Sequence, residues 1–225
     1  MKIIDASGPI YQGMWSYGEP FPDFKPIEIM NPEKKTGNIY AQKFEGLSIL
    51  TGTCMESPSL LFGTDKSYPL SSIPLEKFFE IDGYVLKFDL VKLPKKGNRP
   101  YISMEHIKRV EPDIIPDGAV IITATGWGKH WSHADFQSHN WFFKKDAAEY
   151  LISKKPFILA GDTPAYDNND ESEDHLKLIY ENNILILGPL VNLENITGFK
   201  VKLYIFPINI LNTTGLPCRV LIKEE

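Results

Sequence analysis

The 225-residue sequence predicts an α/β domain with a mixed, largely buried β core flanked by a few helices. Three observations carry this. Period-two and continuous apolar runs outnumber helical stripes, which is the signature of a β-rich chain. Two of those runs are apolar on both faces, as strands in the middle of a sheet are. No shift in composition marks a linker, so residues 1–225 read as one domain.

Taken in order, "GYVLKFDLV" (83–91), "GAVIITATG" (118–126), "PFILAGD" (156–162), "NILILG" (183–188) and "FKVKLYIFPINI" (199–210) read as strands. The third and fourth are the runs apolar on both faces. "PCRVLIKEE" supplies a last strand. Helices are fewer. "KKDAAEYLISKK" (144–155) places Ala148, Leu151 and Ile152 on one face, with Asp146 near its start and lysines at its end, as the helix dipole prefers. "ESEDHLKLIYENN" (171–183) opens acidic, carries Leu176, Ile179 and Tyr180 on a stripe and stops at Asn-Asn. "SMEHIKRV" (103–110) opens on a serine cap, and "SIPLEKFF" (72–79) reads as another short helix. "EPFPDFKPIEIMNPEKK" (19–35) mixes charge and proline and reads as an ordered, extended loop.

Composition narrows the functional classes. At 43% apolar residues the chain can build a full core, yet no stretch reaches the roughly 18 apolar residues of a membrane span. A formal net charge of −5 with no long basic run argues against nucleic-acid binding. The first residues lack the apolar core of a secretory signal, so the expected location is cytoplasmic. There Cys54 and Cys218 are expected as two free thiols.

The chain resembles the cyclase or kynurenine formamidase (arylformamidase-like) family of metal-dependent hydrolases. "IIDASGPIYQGMWSYGEPFP" is similar to the family's opening, "TATGWGKHW" to its Thr-Gly-Trp segment, and "DAAEYLISKKPFILAGDTPAYD" to its helix, buried strand and Gly-x-Asp-Thr-Pro turn. "FKVKLYIFPINILNTTGLPCRV" is similar to its closing pair of strands. "TGTCMESPSLLF" stands where the family writes His-x-Gly-Thr-His-x-Asp-x-Pro-x-His, and "SIPLEKF" follows it as expected. The resemblance implies the family's swivelling β/β/α fold, a homodimer, a zinc or manganese cofactor, and hydrolysis of an amide, ester or lactone by metal-activated water.

Letter by letter, the metal motif departs. Aligned on Gly52, Thr53 and Pro58, the first histidine falls on Leu50, the second on Cys54, the aspartate on Glu56 and the last histidine on Leu60. The resemblance gives that last histidine the proton-transfer role, and a leucine neither moves a proton nor binds a metal. The family's remaining pair, a helix-start histidine and a strand-end glutamate twelve residues on, falls on Leu176 and Gly188. His175 precedes Leu176, but neighbouring helix positions point about 100° apart.

Cys54, Glu56 and His175 are the remaining site candidates, for one unusual metal or for a cysteine nucleophile. Against them stands the reading that Cys54 and Leu60 fill the space that metals would occupy, with Glu56 hydrogen-bonded locally. Trp15, Tyr17 and Trp127 are candidate pocket walls, since aromatics supply apolar area at concave sites. His130, His133 and His139 read as loop residues, and Asp162 with Thr163 as the cap of a turn before Pro164.

The leading expectation is a divergent member that has lost the dinuclear metal site, needs no cofactor and binds a small amide-, ester- or acid-type ligand. One alternative is a hydrolase working through a non-standard metal site or Cys54. Another is a non-catalytic structural or regulatory subunit.

Overall fold

The computed structural model describes residues 2–31, 39–168 and 170–224. Among the described residues, thirteen strands and four α-helices follow in chain order. The strands are β1 (Lys2–Asp5), β2 (Lys25–Asn31), β3 (Ile39–Glu45), β4 (Cys54–Glu56), β5 (Ile81–Lys87), β6 (Lys95–Lys96), β7 (Arg99–Ile102), β8 (Val120–Ala124), β9 (Phe142–Phe143), β10 (Ile158–Gly161), β11 (Leu185–Gly188), β12 (Lys200–Pro207) and β13 (Gly215–Glu224). The helices are α1 (Ser59–Phe62), α2 (Met104–Lys108), α3 (Lys145–Ser153) and α4 (His175–Glu181).

Seven strands close into a mixed barrel in the order β13-β12-β5-β8-β10-β11-β4, with β4 returning to β13. Closure works because β13 is long. Its first residues, Gly215 to Pro217, pair with β4, while Leu221 to Glu224 pair along the chain with β1. The barrel therefore leaves no open edge between first and last strand. The run β5-β8-β10-β11 is parallel and the remaining pairings are antiparallel.

Side-chain alternation divides the core into two layers. Val120, Ile122, Ile158, Ala160, Leu185 and Leu187 point into the barrel with Val201, Leu203, Val220 and Ile222. Their neighbours Ile121, Leu159 and Ile186 face outward, under Leu151 of α3 and Ile179 of α4. Strands β8, β10 and β11 are consequently buried on both faces, as their continuous apolar runs predict. Helices α2, α3 and α4 pack side by side over this outer face.

The predicted fold class holds, and the departures are local. The 72–79 run forms no α-helix: it takes in the end of one 3-10 turn, Leu70–Ser72, and the whole of another, Leu75–Lys77, because Pro74 stands between them at ψ 139°, outside the helical region. Helix α4 starts at His175, later than the acidic run suggested. The Asp167 carboxylate accepts from the Glu173 and His175 N–H groups, and Asp174 sits in the left-handed region at φ 58°. Strand β5 ends at Lys87, after which Asp89 caps a 3-10 turn by accepting from the Val91 N–H.

The segment read as an extended loop contains β2, which pairs with β3 in an antiparallel hairpin. Residues 32–35 of that segment lie outside the described residues. The prolines and the exposure of its large apolar residues concealed this strand: Ile29, Tyr40 and Phe44 are exposed. Among the described residues, no helix is long and apolar enough to cross a membrane.

Candidate functional site

The sequence "TGTCME" enters the barrel through a tight turn. Gly52 takes φ 71°, a left-handed value that glycine adopts without strain, and Thr53 fixes the neighbouring loop. Its hydroxyl accepts from the Gly8 N–H at 2.9 Å and lies 2.7 Å from the Pro189 carbonyl, to which it donates. The chain then alternates through β4. Met55 points into the barrel core, while Cys54 and Glu56 point the other way. Register places Glu56 opposite Ile186 and Cys54 opposite Gly188 of β11.

On that outer face a cavity of about 270 Å³ opens at the carboxyl ends of β10 and β11, between α4 and the N-terminal segment. Leu50, Glu56, Leu60, Leu176 and Gly188 line it together. Ile179 and Ile186 add aliphatic wall, Tyr17 and Tyr166 add aromatic wall, and Asp167 adds a second carboxylate. Parallel sheets present sites at this end because strand termini diverge there and leave a crevice.

Glu56 is the polar centre of the cavity. It keeps part of its surface open to the cavity, although protein surrounds it closely. The Tyr180 hydroxyl donates to Glu56 Oε2 at 2.6 Å. The Cys54 sulfur lies 3.8 Å from Glu56 Oε1 and 3.3 Å from the Gly188 carbonyl oxygen. Burial raises the Glu56 carboxyl above the ordinary glutamate range, and the hydrogen bonds from Tyr180 and Cys54 offset only part of that rise. Burial, and then the adjacent Glu56 charge, push the Cys54 thiol well above the ordinary cysteine range. Burial likewise lifts Tyr17, Tyr166 and Tyr180.

A further carboxylate, Asp162, lies outside the lining and organises the turns behind it. Asp162, fully buried, accepts from the Thr125 N–H and hydroxyl, both at 2.9 Å, and from the Gly126 N–H at 2.7 Å. It also accepts from the Trp127 N–H at 3.1 Å and from Trp141 Nε1 at 2.8 Å. Burial raises this carboxyl too, against those hydrogen bonds. Asp162 thus caps the turn after β8 instead of its own turn. Thr163 holds the local turn, accepting from Asn140 Nδ2 at 2.7 Å.

The family model for the cyclases matches residues 4–168, which span this barrel entry, the Asp162 turn and most of the cavity wall. This chain belongs to the cyclase family. Among solved structures, the fold is similar to isatin hydrolase A from Ralstonia solanacearum at 19% identity and TM-score 0.82, covering 100% of this chain and 92% of that one. It is similar to isatin hydrolase A from Labrenzia aggregata, bound to benzyl benzoate, at 20% identity and TM-score 0.81, covering 98% and 93%. A "potential metal-dependent hydrolase with cyclase activity" matches at 22% identity and TM-score 0.76, covering 100% and 99%. No curated protein matches the chain. At these identities the likeness shows the fold.

For this cyclase-family chain, the structure brings Cys54 and Glu56 together and leaves His175 apart from them. The His175 ring is fully buried, donates from Nε2 to the Phe143 carbonyl at 2.9 Å, and holds Nδ1 3.6 Å from Asp167. Leu176, the next residue, takes the cavity face, as the 100° helical step requires. Of the aromatic candidates, Tyr17 lines the cavity and donates to the Pro164 carbonyl at 2.9 Å. Trp15 packs on Trp131 and Phe136, and Trp127 donates to the Phe136 carbonyl, so both stand outside the lining. His130 and His133 approach each other at 3.3 Å on the surface, and His139 pairs with Asp135. Among the described residues, no group of three His, Cys, Asp or Glu side chains is placed to hold a metal ion.

Sequence reasoning missed Tyr180 and Tyr166 as site residues. Tyr180 was legible only as part of an apolar stripe; its i, i+4 relation to Leu176 is the signal that puts it on the same side of α4, from which its hydroxyl reaches Glu56.

Proposed function

We propose that this chain has given up metal-activated-water chemistry and keeps the family cavity as a binding site for a small, largely apolar molecule. One observation carries the reading. The positions aligned with the family's ligands still converge on one cavity, but Leu50, Leu60, Leu176 and Gly188 line it as hydrocarbon and backbone. A zinc or manganese site wants several nitrogen, oxygen or thiolate donors in fixed geometry. Here the donor set does not fit. Glu56 has one oxygen hydrogen-bonded to Tyr180 and the other beside the Cys54 thiol, and that thiol resists ionisation.

Gly188 supports the same reading sterically. A Cβ there would meet the Gly161 carbonyl oxygen at 2.8 Å, so a glutamate cannot be accommodated without moving β10 or β11. Hydrolysis through Cys54 finds no support in the geometry: no histidine stands against the thiol among the described residues, the Glu56 carboxyl beside it is 3.8 Å away, and burial opposes ionisation of the sulfur.

The test is metal analysis of the purified protein, with assays on aryl formamides, esters and lactones before and after chelation. Substoichiometric zinc and manganese, and turnover at the level of buffer, are expected. Stoichiometric metal with chelator-sensitive turnover overturns the proposal.

A further inference from the structure

We infer that the cavity selects an organic ammonium with an apolar body over the matching neutral or acidic molecule, because Glu56 and Asp167 are the only Asp, Glu, Lys, Arg or His side chains among the described residues lining it. This deepens the proposed function and rests on the cavity being a ligand site. No Lys, Arg or His stands among the described residues lining it. The basic groups beside Asp167 stand outside the lining: the His175 ring lies 3.6 Å from its carboxylate, and Arg99 donates to its backbone carbonyl at 3.1 Å.

The two carboxylates play different parts. Asp167 is saturated by protein donors: the Ser172 hydroxyl at 2.6 Å, the Asn168 N–H at 2.7 Å, and the Glu173 and His175 N–H groups. Burial alone would raise its carboxyl; these hydrogen bonds and the nearby His175 more than offset that and hold it below the ordinary aspartate range. Asp167 therefore contributes a fixed negative charge.

Glu56 is unsaturated. A carboxylate offers about four lone-pair sites, and Glu56 has Tyr180 on one oxygen and the weak thiol of Cys54 beside the other. The remaining sites open onto the cavity and suit a charge-assisted N–H donor. The tyrosine rings of Tyr17 and Tyr166 add a wall that tolerates cations. An acid would bring a further negative charge beside two carboxylates with no counter-ion in the lining, a desolvated arrangement that costs binding.

The experiment is calorimetric titration of the full chain at neutral pH with three probes that share a benzyl body: 2-phenylethylammonium, 2-phenylethanol and phenylacetate. The ammonium is expected to bind at least roughly tenfold more tightly than the alcohol, the weight of one charge-assisted hydrogen bond, with phenylacetate weakest. Glu56→Gln keeps the shape and is expected to abolish the ammonium's advantage while the alcohol still binds. Should this variant fail to fold, the three-probe ranking on the unaltered protein decides alone. Equal binding of all three, or preference for phenylacetate, overturns the ammonium inference and leaves the cavity reading standing. Failure of all three to bind overturns both.

Discussion

Asp162 and Glu56 are both carboxyls that burial pushes toward protonation, yet they do opposite work. Asp162 meets five protein donors and is fully buried. Glu56 meets one strong donor and one weak one and faces open space. A buried carboxylate with a full set of fixed donors belongs to the scaffold, since nothing is left with which to bind a ligand. One with spare lone pairs on a cavity wall belongs to a site.

The largest expected effect breaks this contrast at the scaffold end. Asp162→Asn replaces an acceptor of five hydrogen bonds by an amide whose NH₂ must face donors. It leaves some of the Thr125, Gly126, Trp127 and Trp141 groups unpaired inside the protein. Unfolding in urea is expected to show a loss of roughly 2–5 kcal/mol, against less than about 1 kcal/mol for Glu56→Gln. Equal losses would mean that the two carboxyls are not different in kind.

That asymmetry also explains how much was legible in the sequence. The strands of the parallel run announced themselves because burial on both faces demands continuous apolar residues, as in "FILAG" and "ILILG". Leu50, Leu60 and Gly188 were legible as departures from a motif, and their convergence on one cavity follows from β4 pairing with β11. The β2–β3 hairpin was not legible, because its apolar alternation is short, Ile27 and Ile29 around Glu28, and is broken by Pro26, while Ile29, Tyr40 and Phe44 face outward instead of a core. The Asp162 network was hidden for another reason. Its donors lie 21 to 37 residues away in sequence, and nothing local marks a carboxylate that reaches across to another turn.

A third carboxylate sharpens the comparison through pH. Glu224 accepts from the Thr197 N–H and hydroxyl and the Gly198 N–H, and pairs with Lys2 at 3.3 Å. Burial works against it, yet these partners hold its carboxyl at about 2. Unfolding therefore takes up a proton between the ordinary glutamate value and about 2, and stability falls as pH drops through that window. Glu224→Gln is expected to cost about 1–2 kcal/mol at pH 7, with the deficit closing as the pH falls toward 2.

Glu56 has the opposite sign. Its folded carboxyl is raised, so the folded state holds a proton that the unfolded chain releases, and stability falls as pH rises above the ordinary glutamate value. Glu56→Gln is expected to gain on the parent chain as pH rises, by less than about 1 kcal/mol. Chemical denaturation of both variants across about pH 2 to 8 reads the two slopes together. Slopes of the same sign would show that Glu56 is as well satisfied as Glu224.

The smallest effect concerns Cys54, where no change in stability is involved. Only the thiolate reacts with a disulfide reagent, and here burial and the Glu56 charge both oppose its formation. Cys54 is 1% exposed, so a reagent also needs a local opening of β4 against β11 before it can reach the sulfur. The two barriers multiply, and labelling in the folded protein, followed by peptide mapping, is expected to run roughly a thousandfold or more below a free thiol. Labelling at the rate of a free thiol would place an ionised, accessible sulfur next to Glu56. It would then be Cys54, and not the carboxyl, that gives the cavity its chemistry.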